Sequence, residues 1–192
     1  MTISFVLGNG TSRTNVNLDE LHQYGKIYGC NALYRDFTPD YLIAVDQKMI
    51  LKIQESNYQL SHPVWTNNPQ HIFYNNGFNY FNPRLKWSSG PCALHLASLH
   101  KPTTIFILGF DFTGIDDRFN NIYSNSINYK SSNDIPTYWG NWEKQTKHVI
   151  QHNPTIQFIR IINDDNYILN CEYSNFKQIN YQEFYLFLEK TK

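Results

Sequence analysis

The sequence predicts a single α/β domain, residues 1–192, in which helices cover a mainly parallel, Rossmann-like sheet. Short apolar runs such as Ile3–Leu7 and Thr104–Leu108 alternate with segments that have helical spacing. Strands that are apolar on both faces are typical of parallel sheets buried beneath helices. A length of 192 residues fits one domain with a substantial core. The chain carries no repeat, linker or low-complexity tail.

The individual elements follow from the apolar runs and from the residues that interrupt them. Strands are predicted, in chain order, at residues 3–7, 26–30, 41–45, 64–65, 72–73, 104–108 and 156–162. Helices are predicted at residues 48–56, 91–99, 142–151 and 181–190, with a further helix opening after Asn15 or Asn17. Residues 113–136 are polar and lack periodicity, which predicts a long functional or mobile loop.

Composition narrows the functional classes. The chain has 16 Lys plus Arg and 16 Asp plus Glu, so its net charge is zero and nothing indicates a nucleic-acid or membrane-surface partner. No apolar run approaches the roughly 20 residues of a membrane span, and the N-terminus lacks the order of a signal peptide. Cys30, Cys92 and Cys171 form neither a zinc pattern nor a disulfide framework. We therefore expect a cytoplasmic protein with free thiols that binds a small molecule.

The turn after the first strand is the strongest indication of a binding site. The strand runs directly into Gly8-Asn9-Gly10-Thr11-Ser12-Arg13. Glycine lacks a Cβ, so main-chain N–H groups at such a turn can approach a phosphate or ribose. The third glycine of the dinucleotide fingerprint is missing, and Arg13 stands near its place. A tight turn without a ligand is therefore the alternative interpretation.

Further polar residues follow the predicted strands, at the sheet edge where ligands of parallel sheets bind. They are Asn9, Ser12, Asn31, Arg35, Asp46 and Asp111. Arg13 and Arg35 are expected to clamp a phosphate, with a surface pair to Asp36 as the alternative for Arg35. Asp46 and Asp111 are candidates for holding Mg²⁺ on phosphate oxygens. Asp111 alternatively caps a loop by accepting main-chain N–H bonds.

A second anion-binding feature precedes the helix at residues 91–99. Ser88, Ser89 and Gly90 present two hydroxyls and a free helix N-terminus, which suits an anion. Ser89 is the expected N-cap, with Pro91 in the first turn. A plain helix cap without a ligand is the alternative here.

Three stretches of the chain are similar to motifs of a known family. They are Val6-Leu7-Gly8-Asn9-Gly10-Thr11-Ser12, Gly29-Cys30-Asn31-Ala32-Leu33-Tyr34, and Ser88-Ser89-Gly90-Pro91-Cys92-Ala93 followed by residues 104–112. The matching motifs are a Gly-Asn-Gly-Pro-Ser turn, a strand ending in Cys-Asn before an aromatic, and a Thr-Ser-Gly helix start with a Gly-Ile-Asp-Phe strand end. In this order they resemble the bacterial sialyltransferases that make sialylated lipooligosaccharide, and the related motility-associated and archaeal pterin diphosphokinase-like proteins.

The resemblance implies a site and a donor. Asn9 and Asn31 are expected to contact a cytidine nucleotide, and the turn at residues 88–90 to lie near the sugar or phosphate. The donor would be a CMP-linked or other nucleotide sugar. The family's general base is a histidine after a Tyr-x-Gly-like stretch, and this chain has Asn141 at that position. Asparagine accepts no proton near neutral pH, so the usual base is absent.

The region around Asn141 supplies the remaining catalytic candidates, Tyr138 and His148. His148 and His152 lie on one face of the predicted helix, with a solvated surface as the alternative interpretation. Trp139 and Trp142 are candidates for an aromatic wall over a base or sugar, with core packing as the alternative for Trp142.

These observations predict a nucleotide or nucleotide-sugar binding protein, a glycosyltransferase of the sialyltransferase-like type. Two alternatives stay open. The first is a non-catalytic nucleotide-binding or host-interaction protein of the same fold, which Asn141 favours. The second is Mg²⁺-dependent pyrophosphoryl transfer to a pterin-like substrate, which would use Asp46 and Asp111.

Overall fold

The computed structural model describes residues 1–67, 76–136, 138, 140–163 and 167–191, and within them the strands form one all-parallel, eight-stranded sheet. The strands are β1 (Ile3–Leu7), β2 (Gly25–Cys30), β3 (Tyr41–Ile43), β4 (Val64–Asn67), β5 (Phe78–Phe81), β6 (Thr104–Leu108), β7 (Gln157–Ile162) and β8 (Phe176–Asn180). Their order across the sheet is β5-β4-β3-β2-β1-β6-β7-β8. Helices flank the sheet, so the predicted Rossmann-like α/β fold is confirmed.

Apolar side chains pack helices onto both faces of this sheet. The helices are α1 (Leu18–Leu21), α2 (Gln47–Glu55), α3 (Ser89–Leu99), α4 (Gly140–Gln151) and α5 (Tyr181–Glu189). Phe5 of β1 belongs to the buried cluster shared with α2 and α5, whereas its neighbour Val6 belongs to the cluster shared with α3 and α4. Successive strand residues point to opposite faces. Because both faces are covered, β1 is buried along its whole length.

The connection between β5 and β6 reverses the direction in which the sheet grows, which creates a topological switch point between β1 and β6. From β1 the chain builds outward to β5 on one side, and it then returns to place β6 on the other side of β1. The helical crossovers therefore leave a crevice at the carboxyl ends of β1 and β6, where ligands bind in open parallel sheets. Leu7 and Leu108 are in register at this edge. Gly8 N donates to Leu108 O at 2.8 Å, and Gly10 N donates to Gly109 O at 2.9 Å.

The two edge strands, β5 and β8, were not predicted from the sequence. β5 has the exposed residues Asn79 and Tyr80 between two buried phenylalanines, and no residue of β8 is fully buried. An edge strand is covered less completely than a central one, so its apolar run is short or interrupted. The predicted strand at residues 72–73 lies outside the described residues. The other predicted elements are present, with ends that differ by one or two residues.

The helix caps differ from the prediction at α3. Ser88, and not Ser89, is the N-cap residue of α3, and Ser89 is its first helical residue. The backbone is extended at Ser88, with φ of −71° and ψ of 157°, while the Ser89 hydroxyl donates to Asn31 Oδ1 and accepts from Val45 N. Asn17 is the N-cap residue of α1, where its amide contacts Glu20 instead of a main-chain N–H.

The long loop (residues 113–136) lies over the carboxyl edge of the sheet and is bonded to it. Ile122 N donates to Asn9 O at 2.8 Å, and the buried Tyr123 donates its hydroxyl to Asp36 at 2.8 Å. Arg35 donates to Ser126 Oγ and to the carbonyl of residue 127. Arg35 and Asp36 thus hold separate parts of the loop, so the predicted surface pair between them is wrong.

None of the helices in the described parts of the chain has both the length and the apolar character needed to cross a membrane.

Candidate functional site

A cavity of about 600 Å³ opens at the switch point between β1 and β6. Three parts of the chain line it. The strand ends contribute Gly8, Asn9, Gly10, Cys30, Asn31, Val45, Asp46 and residues 109–113; the start of α3 contributes residues 86–91; and the long loop with α4 contributes Phe119, Asn120, Asn121, Tyr129, Asn141, Trp142 and Gln145. The volume falls in the range of small-molecule sites, roughly 300–1,000 Å³.

The glycine turn is organised around Asp111, which follows β6. The Asp111 carboxylate accepts from Ser12 N at 3.1 Å, from the Ser12 hydroxyl, and from Asn120 Nδ2 at 3.0 Å. A side chain at Gly10 would overlap this carboxylate, which explains the glycine. Asp111 is therefore the loop cap that the sequence offered as its second interpretation. The N–H of Ser12 is consequently engaged by the protein's own anion and is closed to a phosphate.

Asn9 and Arg13 are also committed to the turn. Asn9 donates to Cys30 O at 3.2 Å and to the Tyr129 hydroxyl at 3.3 Å, and it accepts from Arg13 at 3.2 Å. Arg13 is 5% exposed, donates to Gly8 O and does not line the cavity. The structure thus gives Arg13 the task of holding the end of β1, in place of the predicted phosphate clamp. Arg35 and Ser12 likewise lie outside the cavity lining.

Asn31 joins the ends of three elements at the cavity wall. Its backbone has a φ of +52°, a left-handed conformation that asparagine tolerates better than most residues. Its Oδ1 accepts from Ser89 Oγ at 2.8 Å, and the same hydroxyl accepts from Val45 N at 3.1 Å. Within the described residues, no group accepts from Asn31 Nδ2. The amide therefore keeps two donors that a ligand in the cavity can use.

The start of α3 is the most open donor group in the cavity. The side chain of Ser88 makes no capping hydrogen bond, and Ser88 N donates to Gln145 Oε1 at 3.0 Å. The first N–H groups of a helix have no partner inside it and carry partial positive charge, and in α3 these are the N–H groups of Ser89 and Gly90, because Pro91 has none. Ser89 and Gly90 both line the cavity. The predicted helix N-terminus is thus in place, and residues 88–90 lie in the same cavity as Asn31.

A buried arginine that the sequence did not indicate supports the opposite wall. Arg160 of β7 is 1% exposed and donates to Phe110 O at 2.8 Å, to Asp111 O at 3.2 Å and to Gln178 Oε1 at 2.6 Å. Its guanidinium lies 5.1 Å from the ring centre of Phe112, a residue held at a φ of +55°. Burial lowers the pKa of Arg160 to about 10, so it stays charged at neutral pH. Arg160 therefore fixes the conformation of the segment that leaves β6.

The three predicted catalytic residues are separated. Asn141 lines the cavity, whereas Tyr138 is 74% exposed and His148 is exposed, and neither of them belongs to the lining. The His148 ring packs against Trp87 and His152, with ring centres 5.3 and 4.0 Å apart. Partial burial and the nearby His152 lower the pKa of His148.

The two tryptophans of the same region have separate outcomes. Trp142 lines the cavity and also packs against the core. Trp139 lies outside the described residues.

Asp46 lies at the mouth of the cavity with a free carboxylate. It is the N-cap residue of α2, yet its side chain makes no capping bond, and it has no other side-chain partner among the described residues. The residue is exposed overall, and desolvation where it meets the protein raises the pKa of its carboxylate. In the part of the chain that the structure describes, no three His, Cys, Asp or Glu residues come together as a metal site.

Lys86, Trp87 and Gln145 complete the cavity, and sequence analysis missed them. They stand in no motif, and they reach the cavity only because α3 and α4 pack side by side on the sheet.

Comparison of the chain with protein-family models, curated proteins and solved structures finds no significant match.

Proposed function

We propose that this chain binds a nucleotide sugar in the switch-point cavity and transfers its sugar to a hydroxyl acceptor, as do the sialyltransferases that its motifs resemble. The observation that carries the proposal is the open start of α3 inside a cavity of about 600 Å³ at the carboxyl edge of a parallel sheet. Free N–H groups and the helix dipole suit the phosphate of a nucleotide.

The remaining walls suit the other parts of such a ligand. Four aromatic side chains in the lining offer surface for a base or a sugar ring: Trp87, Phe110, Phe119 and Trp142. The donors of Asn31 suit the oxygens of a base or ribose. Lys86 adds one positive charge at the rim, next to the start of α3.

One alternative has specific support. Asn141 lines the cavity at the position where the resemblance places a basic histidine. A chain that binds the nucleotide without catalysis is therefore the second candidate function. Pyrophosphoryl transfer has weaker support, because protein donors already engage the Asp111 carboxylate.

Thermal denaturation in the presence of CMP, CDP, UDP, ADP, GDP, CMP-sialic acid and UDP-glucose, each with and without Mg²⁺, tests the binding. A ligand at a hundredfold excess over its Kd stabilises the native state by about 2.7 kcal/mol, which for a chain of this size raises Tm by about 5–10 °C. If none of these compounds raises Tm, the proposal is wrong.

A matched pair of variants locates the binding. Asn31 and Asn57 both have left-handed backbones, with φ of +52° and +58°, and Asn57 is exposed and lies outside the cavity lining. Glycine adopts this conformation without strain, so both Asn31→Gly and Asn57→Gly should fold. We expect Asn31→Gly to abolish most of the ligand-induced rise in Tm and Asn57→Gly to keep it. Equal rises in both variants would place the ligand elsewhere.

A further inference from the structure

The proposed transfer needs a proton acceptor that Asn141 cannot supply. A sugar acceptor attacks through a hydroxyl oxygen, and a base that removes its proton typically accelerates such a step about 10²–10⁴-fold. His148 packs against Trp87 outside the cavity lining. The base must therefore be sought among the ionisable side chains that do line the cavity, which within the described residues are Cys30, Asp46, Lys86, Asp111 and Tyr129.

Four of these five are unsuited to the task. Burial raises the pKa values of the Cys30 thiol and the Tyr129 hydroxyl to about 12, so both keep their protons at neutral pH. Lys86 is exposed at the rim and offers donors only. The Asp111 carboxylate is 6% exposed and accepts from Ser12 and Asn120. Its lone pairs are directed into the protein.

Asp46 differs from all four in being both free and accessible. Aspartate at an N-cap ordinarily accepts from the second or third N–H of the helix, an interaction worth about 1 kcal/mol. In α2 this bond is absent, although Met49 N and Ile50 N both donate to the Asp46 carbonyl and hold its backbone in place. The carboxylate is left available to the cavity that Asp46 lines.

We infer that Asp46 is the general base of the reaction, an inference that rests on the proposed function. The Asp46 carboxylate takes the proton of the acceptor hydroxyl. The acceptor oxygen forms a bond to the anomeric carbon of the donor sugar, and the bond from that carbon to the phosphate oxygen breaks. Its electron pair leaves with the nucleotide, and Asp46 returns its proton to water. Desolvation raises the pKa of Asp46, which makes it a stronger base than an aspartate of ordinary pKa.

The variant Asp46→Asn tests the inference. Asparagine is as good an N-cap as aspartate, so α2 should be unaffected. Release of free nucleotide from CMP-sialic acid and UDP-glucose is measured with water or lactose as acceptor, beside the rise in Tm that each donor produces. We expect Asp46→Asn to keep the rise in Tm and to lose nucleotide release about 10²–10⁴-fold. Asp19→Asn, at an exposed position on α1, is the control and should match the wild type.

The pH dependence separates a base from a merely structural residue. Activity of the wild type should fall on the acid side as Asp46 becomes protonated, and Asp46→Asn should show no such decline. Lys86, Asp111, Cys30 and Tyr129 share the cavity, and Asp46→Asn leaves them in place. Asp46→Glu should recover part of the activity and the acid decline.

The outcomes are distinguishable. Unchanged nucleotide release in Asp46→Asn overturns the inference and leaves the proposed function standing. Donor binding without release in the wild type overturns it in favour of the non-catalytic alternative. Release that requires Mg²⁺, with Asp46→Asn losing a Mg²⁺-dependent rise in Tm, makes Asp46 a metal ligand and overturns its role as base. Absence of any donor binding removes the proposed function itself.

Discussion

The helices α3 and α5 begin in opposite ways. At α5, Asn180 accepts from Glu183 N at 2.9 Å, and the Glu183 carboxylate accepts from Asn180 N at 3.1 Å, which closes the helix start. At α3, the corresponding side chain of Ser88 makes no capping bond, the third helical residue Pro91 has no N–H, and the helix start lines the cavity. Side chains therefore close the start of α5, whereas the Ser89 and Gly90 N–H groups at the start of α3 have no side-chain cap.

The largest expected effect on stability comes from removing Arg160, which supports the cavity wall. Arg160→Met deprives the buried carbonyls of Phe110 and Asp111 of their donor. Buried acceptors without partners cost roughly 1–3 kcal/mol each, so we expect the free energy of unfolding to fall by about 3 kcal/mol in urea titrations. Arg118→Met, at an exposed position, should change it by less than about 0.5 kcal/mol. Equal midpoints for the two variants would show that Arg160 has no supporting role.

A charged residue at the N-cap position of α3 tests whether an anion binds at the start of this helix. Ser88→Asp places a negative charge at the N-terminus of α3, which favours the helix dipole, so the ligand-free protein should gain about 0.3–1 kcal/mol of stability. The same charge repels a phosphate, and nucleotide affinity measured by calorimetry should fall at least tenfold, about 1.4 kcal/mol. Ser88→Asn carries no charge and is the matched control. Undiminished affinity in Ser88→Asp would mean that no anion lies at α3.

Truncation of each N-cap residue gives a smaller effect. Asn180→Ala removes a working cap and should lower the free energy of unfolding by about 1 kcal/mol, with nucleotide affinity unchanged. Ser88→Ala removes no cap and should lower it by less than about 0.5 kcal/mol. Chemical denaturation of the two variants beside the wild type decides the matter. A loss in Ser88→Ala as large as that in Asn180→Ala would contradict the comparison.

The smallest expected effect concerns pH and His95, which lies on α3 itself. Burial and the nearby His148 lower the pKa of His95 below its ordinary value of 6.5. The unfolded chain therefore binds the proton first, so this residue reduces stability as the pH falls below about 6.5. His95→Gln should flatten the stability profile on that side in denaturation curves measured from pH 7.5 to 5.0. A profile parallel to that of the wild type would assign the acid sensitivity to other groups.

The sequence predicted the centre of the fold better than its edges. β1 and β6 are buried along their whole length because helices cover both faces, and all but one residue of each is apolar, a run that is visible without any structure. β5 and β8 lie at the two ends of the sheet, where residues such as Asn79 and Lys177 face solvent and interrupt the pattern. Their existence depends on which strand lies beside them, which is not a local property of the chain.

The candidate site shows the same division. Of the six polar residues expected after strands, Asn9, Asn31, Asp46 and Asp111 line one cavity, whereas Ser12 and Arg35 lie outside its lining. The sequence could not decide between the two interpretations of Asp111 or identify the partners of Arg13, since both depend on close packing of the turn. Arg160 is a single charged residue within the predicted strand at residues 156–162. Its role depends on the Phe110 and Asp111 carbonyls, which follow β6 and lie beside it.

The turn after β1 has a consequence for the order in which the protein is made. Ser12 finds its partner Asp111 after 99 further residues, and Thr11 finds Asn120 after 109. Until Asp111 and Asn120 have left the ribosome, the turn after β1 lacks both partners. The edge of β1 that pairs with β6 is also unpaired until β6 is made, since contacts between distant residues form late. A nascent chain that extends only to β5 therefore has five of the eight strands and lacks the cavity residues from Lys86 onward. The cavity can therefore form only after the chain has been synthesised as far as Gln145.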